Sequence, residues 1–548
     1  MPPAASADEL PLVVQTSEGP TLRWRGIDFY PGTDPVSYAR RKARVVSPLP
    51  RTLYYVPSLG LGHGLADLVD RLPQGSAVLC VEAFQQVMGV ALGRGVHRDA
   101  RLVIVRTEEP DAAVAALRSM GTGRFRRVVE VPLCAGYRLA PGTYGSIRRG
   151  LEQEIMRFWQ NRLTLIAMGS LQVRNLLSNL PLLREATDFS ALSTVLPVVV
   201  AGAGPSLEEA LPVLAARRSR FALVAVDTAL PALAQSGITP DIVVDIEAQV
   251  VNTRDFLPAP TAGGPRLACD LSVHPSVPRL FPGTVSFFSS EFAPLRFWER
   301  LASSGLRPRP FPALGSVGVA AAHAALLLTK APVFLTGLDF AFPGGRTHAR
   351  GSPFLAAEME HAGRLAPVGQ SGFQALAIRR LLSAADKRGR TVLTDRVMSS
   401  YRDALQNELR ADSHRTADCG STGLPLGVGN ISTQELADRL ASAPGVRDAA
   451  ERLQVDSGRR YPAERLGPFV AGERARLARM AAAAADRAAT APGIMEDILD
   501  DVDYAWAHFP DRPEPSSPEQ GIEPGFVARV GVAARFYDER LRRVESVL

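Results

Sequence analysis

The chain has 548 residues, 46% of them apolar and 22% charged, with a formal net charge of +6. That is an ordinary globular composition, and the length exceeds the roughly 250–300 residues that one core supports, so several domains are expected. Lys42, Lys330 and Lys387 are the only lysines; the positive charge is arginine interspersed with Asp and Glu, with no basic stripe, so no nucleic-acid partner is expected. Cys80, Cys134, Cys269 and Cys419 stand far apart, which suits neither a zinc site nor a disulfide frame.

In chain order, residues 1–140 predict a Rossmann-like α/β domain. The N-terminus has neither the basic nor the apolar segment of a secretory signal. Thr52 to Val56 reads as a strand, Leu59-Gly60-Leu61-Gly62-His63-Gly64 as a glycine turn, and Leu65 to Leu72 as a helix. Ala77 to Val81 is a second strand that ends in Glu82, and Leu102 to Val105 and Val128 to Val131 are further strands. A glycine turn followed by a strand-end acid is the pattern by which nucleotide enzymes hold a ribose. The preferred reading is that the turn serves packing alone. Residues 141–195 predict a helical connector, with Leu151, Ile155, Phe158, Trp159, Leu163, Ile166 and Leu171 at helical spacing as core.

Residues 196–430 form the expected central domain. Val198 to Ala201 has the all-apolar run of a doubly buried parallel strand. Gly202-Ala203-Gly204-Pro205-Ser206 then makes a tight turn into a helix, Leu207 to Arg217, whose start is a ready anion site. Strands at Phe221 to Val226 and Ile242 to Val244 end in Asp227 and Asp245, where ligands of open α/β sheets bind. Leu267 to Cys269 closes on Asp270, with His274 beyond it in a loop read as solvated, and Val285 to Phe288 leads to Ser289, Ser290 and Glu291. Gly315-Ser316-Val317-Gly318 opens a small-residue helix to Thr329, a second candidate anion contact. Val317 to Leu338 is the most apolar stretch, but His323, Lys330 and Pro332 interrupt it, so no membrane span is expected. Val333 to Leu335 is a strand, followed by the loop Thr336 to Gly351. From Ser432 the pattern is helical, with an Arg/Ala-rich tract from Glu473 to Ala489 and a break at Pro510 to Pro524.

Two of these segments resemble one family. GAGPSL, a strand, and then SGITPDIVVDIE are similar to the core of the motility-associated glycosyltransferase (Maf) family, which is linked to flagellin glycosylation. The Gly-Ser-Val-Gly helix with the loop Thr336 to Gly351 resembles a second segment of that family, about a hundred residues on and in the same order. The glycine-rich run Asp418 to Gly427 resembles the region closing its transferase domain. The G-x-G-P-S turn is also similar to the nucleotide-binding turn of bacterial sialyltransferases, and archaeal 6-hydroxymethylpterin pyrophosphokinases share the core. Those kinases carry D-L-D-G where this chain has Asp245-Ile246-Glu247-Ala248.

The resemblance implies an N-terminal Rossmann-like domain, a sialyltransferase-like Rossmann-type α/β centre and a helical C-terminal domain (431–548). It also implies transfer of a CMP-activated nonulosonic acid, of the pseudaminic or legionaminic type, to Ser or Thr of flagellin in the cytoplasm. The donor phosphate would rest on the amides of Gly202, Ala203, Gly204, Pro205 and Ser206, with Asp227, Thr228 or Asp245 near the nucleoside and Gly315 and Ser316 as a further contact. His348 would be the acceptor's base, with Asp339 orienting that histidine or the substrate, and Arg346 and Arg350 toward an anion. His274 and Tyr401 stand next in line. No cofactor is assigned beyond the CMP-sugar donor; magnesium at Asp241, Asp245 and Glu247 is an open expectation. The alternatives are a pterin pyrophosphokinase and a non-catalytic flagellin-binding accessory.

Overall fold

The computed structural model describes residues 10–256, 264–290, 293–360, 362–365, 367, 369–446, 448–486, 492–511 and 523–548. Glu291, the end of the tract to Ala489 and most of Pro510 to Pro524 lie outside them. The chain divides into two compact units, one up to Thr164 and one from Leu165.

The first unit opens with an antiparallel ribbon of β1 (Leu12–Thr16), β2 (Gly19–Trp24) and β3 (Ile27–Asp28). Beside it lies a parallel sheet of β4 (Thr52–Pro57), β5 (Ala77–Glu82), β6 (Leu102–Arg106) and β7 (Arg127–Glu130), in the order β6-β5-β4-β7. Helices α1 (Pro35–Val45), α2 (Leu65–Val69), α3 (Gln85–Gly93) and α4 (Pro110–Ser119) complete it, and the long α5 (Pro141–Asn179) carries residues of both units. Every residue of β4 and β5 is buried, as befits the mainly apolar central strands of a parallel sheet.

The second unit is built on a ten-stranded sheet. Its strands are β8 (Thr187–Asp188), then, after β9 (Leu192–Ser193) in a separate bridge, β10 (Val198–Ala201), β11 (Ala222–Val226), β12 (Ile242–Asp245), β13 (Arg266–Asp270), β14 (Val285–Ser290), β15 (Arg309–Phe311) and β16 (Val333–Thr336). The hairpin β17 (Leu381–Ala385) and β18 (Thr391–Asp395) stands apart, and β19 (Thr416–Asp418) and β20 (Gly429–Asn430) close the main sheet. The order β15-β14-β13-β12-β11-β10-β16-β19-β20 is parallel throughout. The chain runs outward from β10 to β15 and then returns to the other side of β10 with β16. Between β10 and β16 the order reverses, and open α/β sheets bind ligands outside the strand ends at such a point. Helices α6 (Leu207–Ala216), α7 (Leu230–Gln235), α8 (Arg296–Ser303), α9 (Val317–Leu328), α10 (Pro353–Glu360), α11 (Gln370–Ala377) and α12 (Arg396–Leu409) connect these strands.

The C-terminal helices do not build a core of their own. Phe469, Val470 and Leu477 of the helix Leu466–Ala485, and Phe526, Val530 and Leu541 of Pro524–Glu545, share one buried cluster with Leu267, Cys269 and Phe287 of β13 and β14. Glu473, with no exposed surface, receives both Nε and Nη2 of Arg300 on α8 at 2.6 and 3.0 Å. All four cysteines are buried free thiols. Among the described residues no helix is long and apolar enough to cross a membrane.

Candidate functional site

A cavity of about 240 Å³ opens at the carboxyl ends of β10 and β16, the reversal point of the sheet. Its wall brings together Gly202, Ala203, Gly204, Thr228, Ser316, Asp339 and His348 from four separate segments. The glycine turn after β10 is narrow for a local reason. A Cβ on Gly202 would lie 2.3 Å from the Gly337 carbonyl oxygen, and one on Gly204 2.3 Å from Asp339 Oδ2. Leu338 fits between Gly202 and Gly318, whose added Cβ atoms would meet its Cδ2 at 2.6 and 2.7 Å. Phe340 sits at φ 47, a left-handed backbone that a bulky residue holds only under surrounding constraint.

The amides of this turn are largely spoken for inside the protein. Gly202 N donates to Thr336 O at 2.8 Å, Gly204 N to Gly337 O at 2.8 Å and Ser206 N to Asp339 Oδ2 at 2.9 Å. Pro205 has no N–H, and Ser206 Oγ accepts from Gly337 N. Asp339 therefore ties the start of α6 to the loop after β16 rather than pointing at His348. Beneath it, Lys387 Nζ lies 2.7 Å from Asp418 Oδ2 with both side chains buried, and it also faces Asp339. Burial pushes the Asp339 and Asp418 carboxyls up, and the Lys387 ammonium opposes that rise at both. Among the described residues, the Ala203 N–H and the first turn of α9 stay open for an anion. There Ser316 makes no side-chain cap and Ala320 N is the first amide to bond back, to Ser316 O. The Val317, Gly318 and Val319 amides thus head the helix at the cavity wall, where the helix dipole adds to the attraction. A Cβ on Gly315 would lie 3.1 Å from the Tyr401 ring, so Gly315 is a packing position beside the cavity.

His348 lines the cavity next to Thr347, with its Nδ1 3.1 Å from Thr347 Oγ1 and its ring against Phe354. Ala349 N donates to Ala203 O, which fixes this loop beside the glycine turn. Burial, aided by the Arg379 guanidinium, holds the imidazole below its usual range, so it is neutral near pH 7. Arg379 itself lines the cavity and is paired with Asp395 at 2.6 Å. Arg346 and Arg350 turn away: Arg346 Nη1 and Arg350 N both bond Glu208 Oε1 on α6, at 2.6 and 2.9 Å. His274 is half-buried beyond β13, with its Nδ1 accepting from Ser276 N, and it does not line the cavity.

Asp227 and Asp245 are buried at the ends of β11 and β12 behind Thr228, which reaches the cavity. Asp227 Oδ1 accepts from Thr228 N and Oγ1, and Asp245 Oδ1 from Glu247 N, but the Oδ2 atom of each accepts nothing from the described residues. Burial, then the nearby Asp255 carboxylate, pushes Asp227 up to about 7; burial and then Asp227 raise Asp245 well above the ordinary carboxylate range. Glu247 and Asp255 are raised by burial too. Asp270, one strand along, shows the contrast: it accepts from the backbone and hydroxyl of both Ser272 and Ser290.

Magnesium at Asp241, Asp245 and Glu247 does not fit this arrangement. Asp241 precedes β12 while Asp245 ends it, so they lie at opposite ends of the strand, and Arg218, Arg452 and Leu223 N already occupy both Asp241 oxygens. Among the described residues no three His, Cys, Asp or Glu side chains converge on one cation position. In the first unit, Glu82 has no capacity left for a ribose. It accepts from Ser58 Oγ, Leu59 N, Phe84 N and Tyr144 OH, and a Cβ on Gly60 would strike Tyr30 OH at 2.5 Å. A larger groove of about 500 Å³, lined by Phe509, Val532, Phe536 and Tyr537, lies among the C-terminal helices; its Arg529 is paired with Asp511, and no convergent polar set among the described residues marks it as a reaction site.

Arg379, Thr347, Phe354, Asp255 and Lys387 belong to the site or its support without having been singled out from sequence. Lys387 alone carried a usable signal, being one of three lysines in an arginine-rich chain.

Residues 174–345 match the family of 6-hydroxymethylpterin diphosphokinase MptE-like proteins. An uncharacterized protein of Treponema pallidum (strain Nichols) is 29% identical over 354 residues, covering 62% of this chain and 61% of that protein. A second from the same organism is 33% identical over 153 residues, 25% of this chain and 38% of that protein. The chain thus spans about three fifths or less of the length of these relatives. In three dimensions the chain is similar to a Maf glycosyltransferase from Magnetospirillum magneticum AMB-1, with TM-score 0.53 and 15% identity, over 98% of this chain and 89% of that one.

Proposed function

We propose that this chain, Maf-like in fold and MptE-like over its centre, is a glycosyltransferase that moves a CMP-activated nonulosonic acid to a Ser or Thr hydroxyl of flagellin. The observation that carries the reading is one cavity holding both the helix-start amides of α9, unbonded among the described residues, and a neutral, half-buried His348. Amides and helix dipole suit a departing phosphate monoester; a neutral imidazole suits removal of a proton from an alcohol. In this scheme the donor's phosphate rests on the Ala203 N–H and the first turn of α9, with Thr228 toward the ribose. The anomeric C–O bond breaks with its electron pair passing to the phosphate oxygen, through an oxocarbenium-like transition state. The acceptor oxygen bonds the anomeric carbon as its proton passes to His348. Asp339 and Ser206 keep the glycine turn in place.

A pterin pyrophosphokinase is the second reading, favoured by the match over residues 174–345. Asp245-Ile246-Glu247-Ala248 and the lack of a three-ligand cation position among the described residues weigh against it. Separate calorimetric titrations of CMP, ATP and S-adenosylmethionine against the purified protein test the assignment. CMP binding that competes with a CMP-sugar supports it. Binding of ATP but not of CMP up to ~1 mM, a Kd worth only about −4 kcal/mol, refutes the donor assignment.

A further inference from the structure

The hairpin β17–β18 is a two-stranded ribbon with register Leu381↔Asp395 to Ala385↔Thr391. Its β18 side is sewn to the cavity loop: Phe342 N donates to Leu393 O and Thr394 Oγ1 to Phe340 O. The outer side of β17 pairs with no strand among the described residues. Natural edge strands are guarded by lysine, proline, a bulge or a covering element, because a bare edge recruits another strand. β17 reads Leu-Leu-Ser-Ala-Ala, with no charge, proline or bulge, and Leu382 and Ser383 are exposed.

The charges stand at its two ends instead. Arg379 and Arg380 precede it, Arg388 and Arg390 follow it, and Arg380 and Arg388 form no ion pair among the described residues. Ile378, 87% exposed, adds an apolar contact at the entry. Two copies of this edge paired antiparallel would set arginines against arginines at both ends, which disfavours self-association. An extended segment with acidic residues at its ends meets the edge with the opposite sign. Arg379, which lines the cavity, stands two residues before β17, so the entry end of this edge lies beside the cavity wall.

We propose that β17 is a docking edge for an extended, acid-flanked segment of the acceptor polypeptide, which adds to the ribbon as a third strand. Naming the occupant as the acceptor rests on the transferase reading above. The test uses the full chain and a fluorescein-labelled peptide of alternating valine and threonine with two aspartates at each end, and a counterpart with lysines there. Fluorescence anisotropy should show the aspartate peptide binding at least about tenfold more tightly than the lysine peptide. Leu382→Lys, which installs the missing guard, and the pair Arg380→Glu with Arg388→Glu should each weaken the aspartate peptide by about tenfold, with the melting temperature and CMP affinity unchanged. Equal binding of the two peptides, indifference to Leu382→Lys, or no peptide binding up to ~1 mM by a protein that binds CMP overturns the proposal. A wild-type dimer that Leu382→Lys dissociates also overturns it, because the occupant is then a second copy. Peptide binding without CMP binding leaves the docking edge standing and removes the transferase.

Discussion

Replacing Asp227 with asparagine should stabilise the second unit, and by an amount that grows with pH. Asp227 is 1% exposed, and its carboxyl is pushed from 3.8 up to about 7, first by burial and then by the Asp255 carboxylate. Between those two values the folded protein holds a proton that the unfolded chain has released. The folded state binds more protons there, so stability falls as pH rises through that window and is level beyond it. At 1.36 kcal/mol per pH unit, the penalty above pH 7 is about 4 kcal/mol, against about 1 kcal/mol at pH 4.5. Asparagine carries no charge, and its Oδ1 can keep the hydrogen bonds from Thr228 N and Oγ1. Urea unfolding followed by tryptophan fluorescence at pH 4.5 and pH 8 measures both proteins. The gap in favour of Asp227→Asn should widen by about 3 kcal/mol across that range. A variant less stable than wild type at pH 8, or one whose advantage is the same at both pH values, refutes the reasoning.

The remaining predictions concern the cavity wall. His348→Ala should lose roughly 10²–10⁴-fold in turnover while CMP affinity by calorimetry stays within error, because a base acts on the acceptor. Since His348 titrates below its usual range, wild-type turnover should be flat from pH 7 to 8 and fall only below about 6.5, the ordinary value for the side chain. Gly204→Val forces a Cβ to 2.3 Å from Asp339 Oδ2 and 2.7 Å from Gly337 O, so the stability measured by urea unfolding should drop by about 1–3 kcal/mol, and CMP binding with it. Lys387→Met removes one partner of a buried ion pair, and urea unfolding should show a loss of about 3–5 kcal/mol.

Apolar runs bounded by glycine and acid were legible from residues alone. Val198 to Ala201 is a strand with the bounds its sequence predicts, and β11, β12, β13, β14 and β16 differ from expectation by one or two terminal residues. Such strands are buried on both faces, so composition fixes them without help from distant contacts. The ribbon β17–β18 was not legible, since Leu-Leu-Ser-Ala-Ala has neither alternation nor the length to distinguish it from a loop. Neither was the fate of the turn amides. Sequence shows that Gly202 to Ser206 precedes a helix, but not that the Thr336 to Asp339 segment takes its N–H groups across more than a hundred residues. The same limit hid the capture of Arg346 by Glu208, which depends on how α6 and the His348 loop meet.

The cluster joining β13 and β14 to the C-terminal helices also has a consequence in time. A ribosome adding about 5–20 residues per second reaches the helix Pro524–Glu545 on the order of ten seconds or more after it has finished β14. During that interval Leu267, Cys269 and Phe287, all fully buried in the finished protein, have yet to receive part of their cover. The nascent sheet then presents an apolar face of the kind holding chaperones bind. The sheet that carries the cavity is begun early, but its β13–β14 side reaches its final packing only after the chain's late helices arrive.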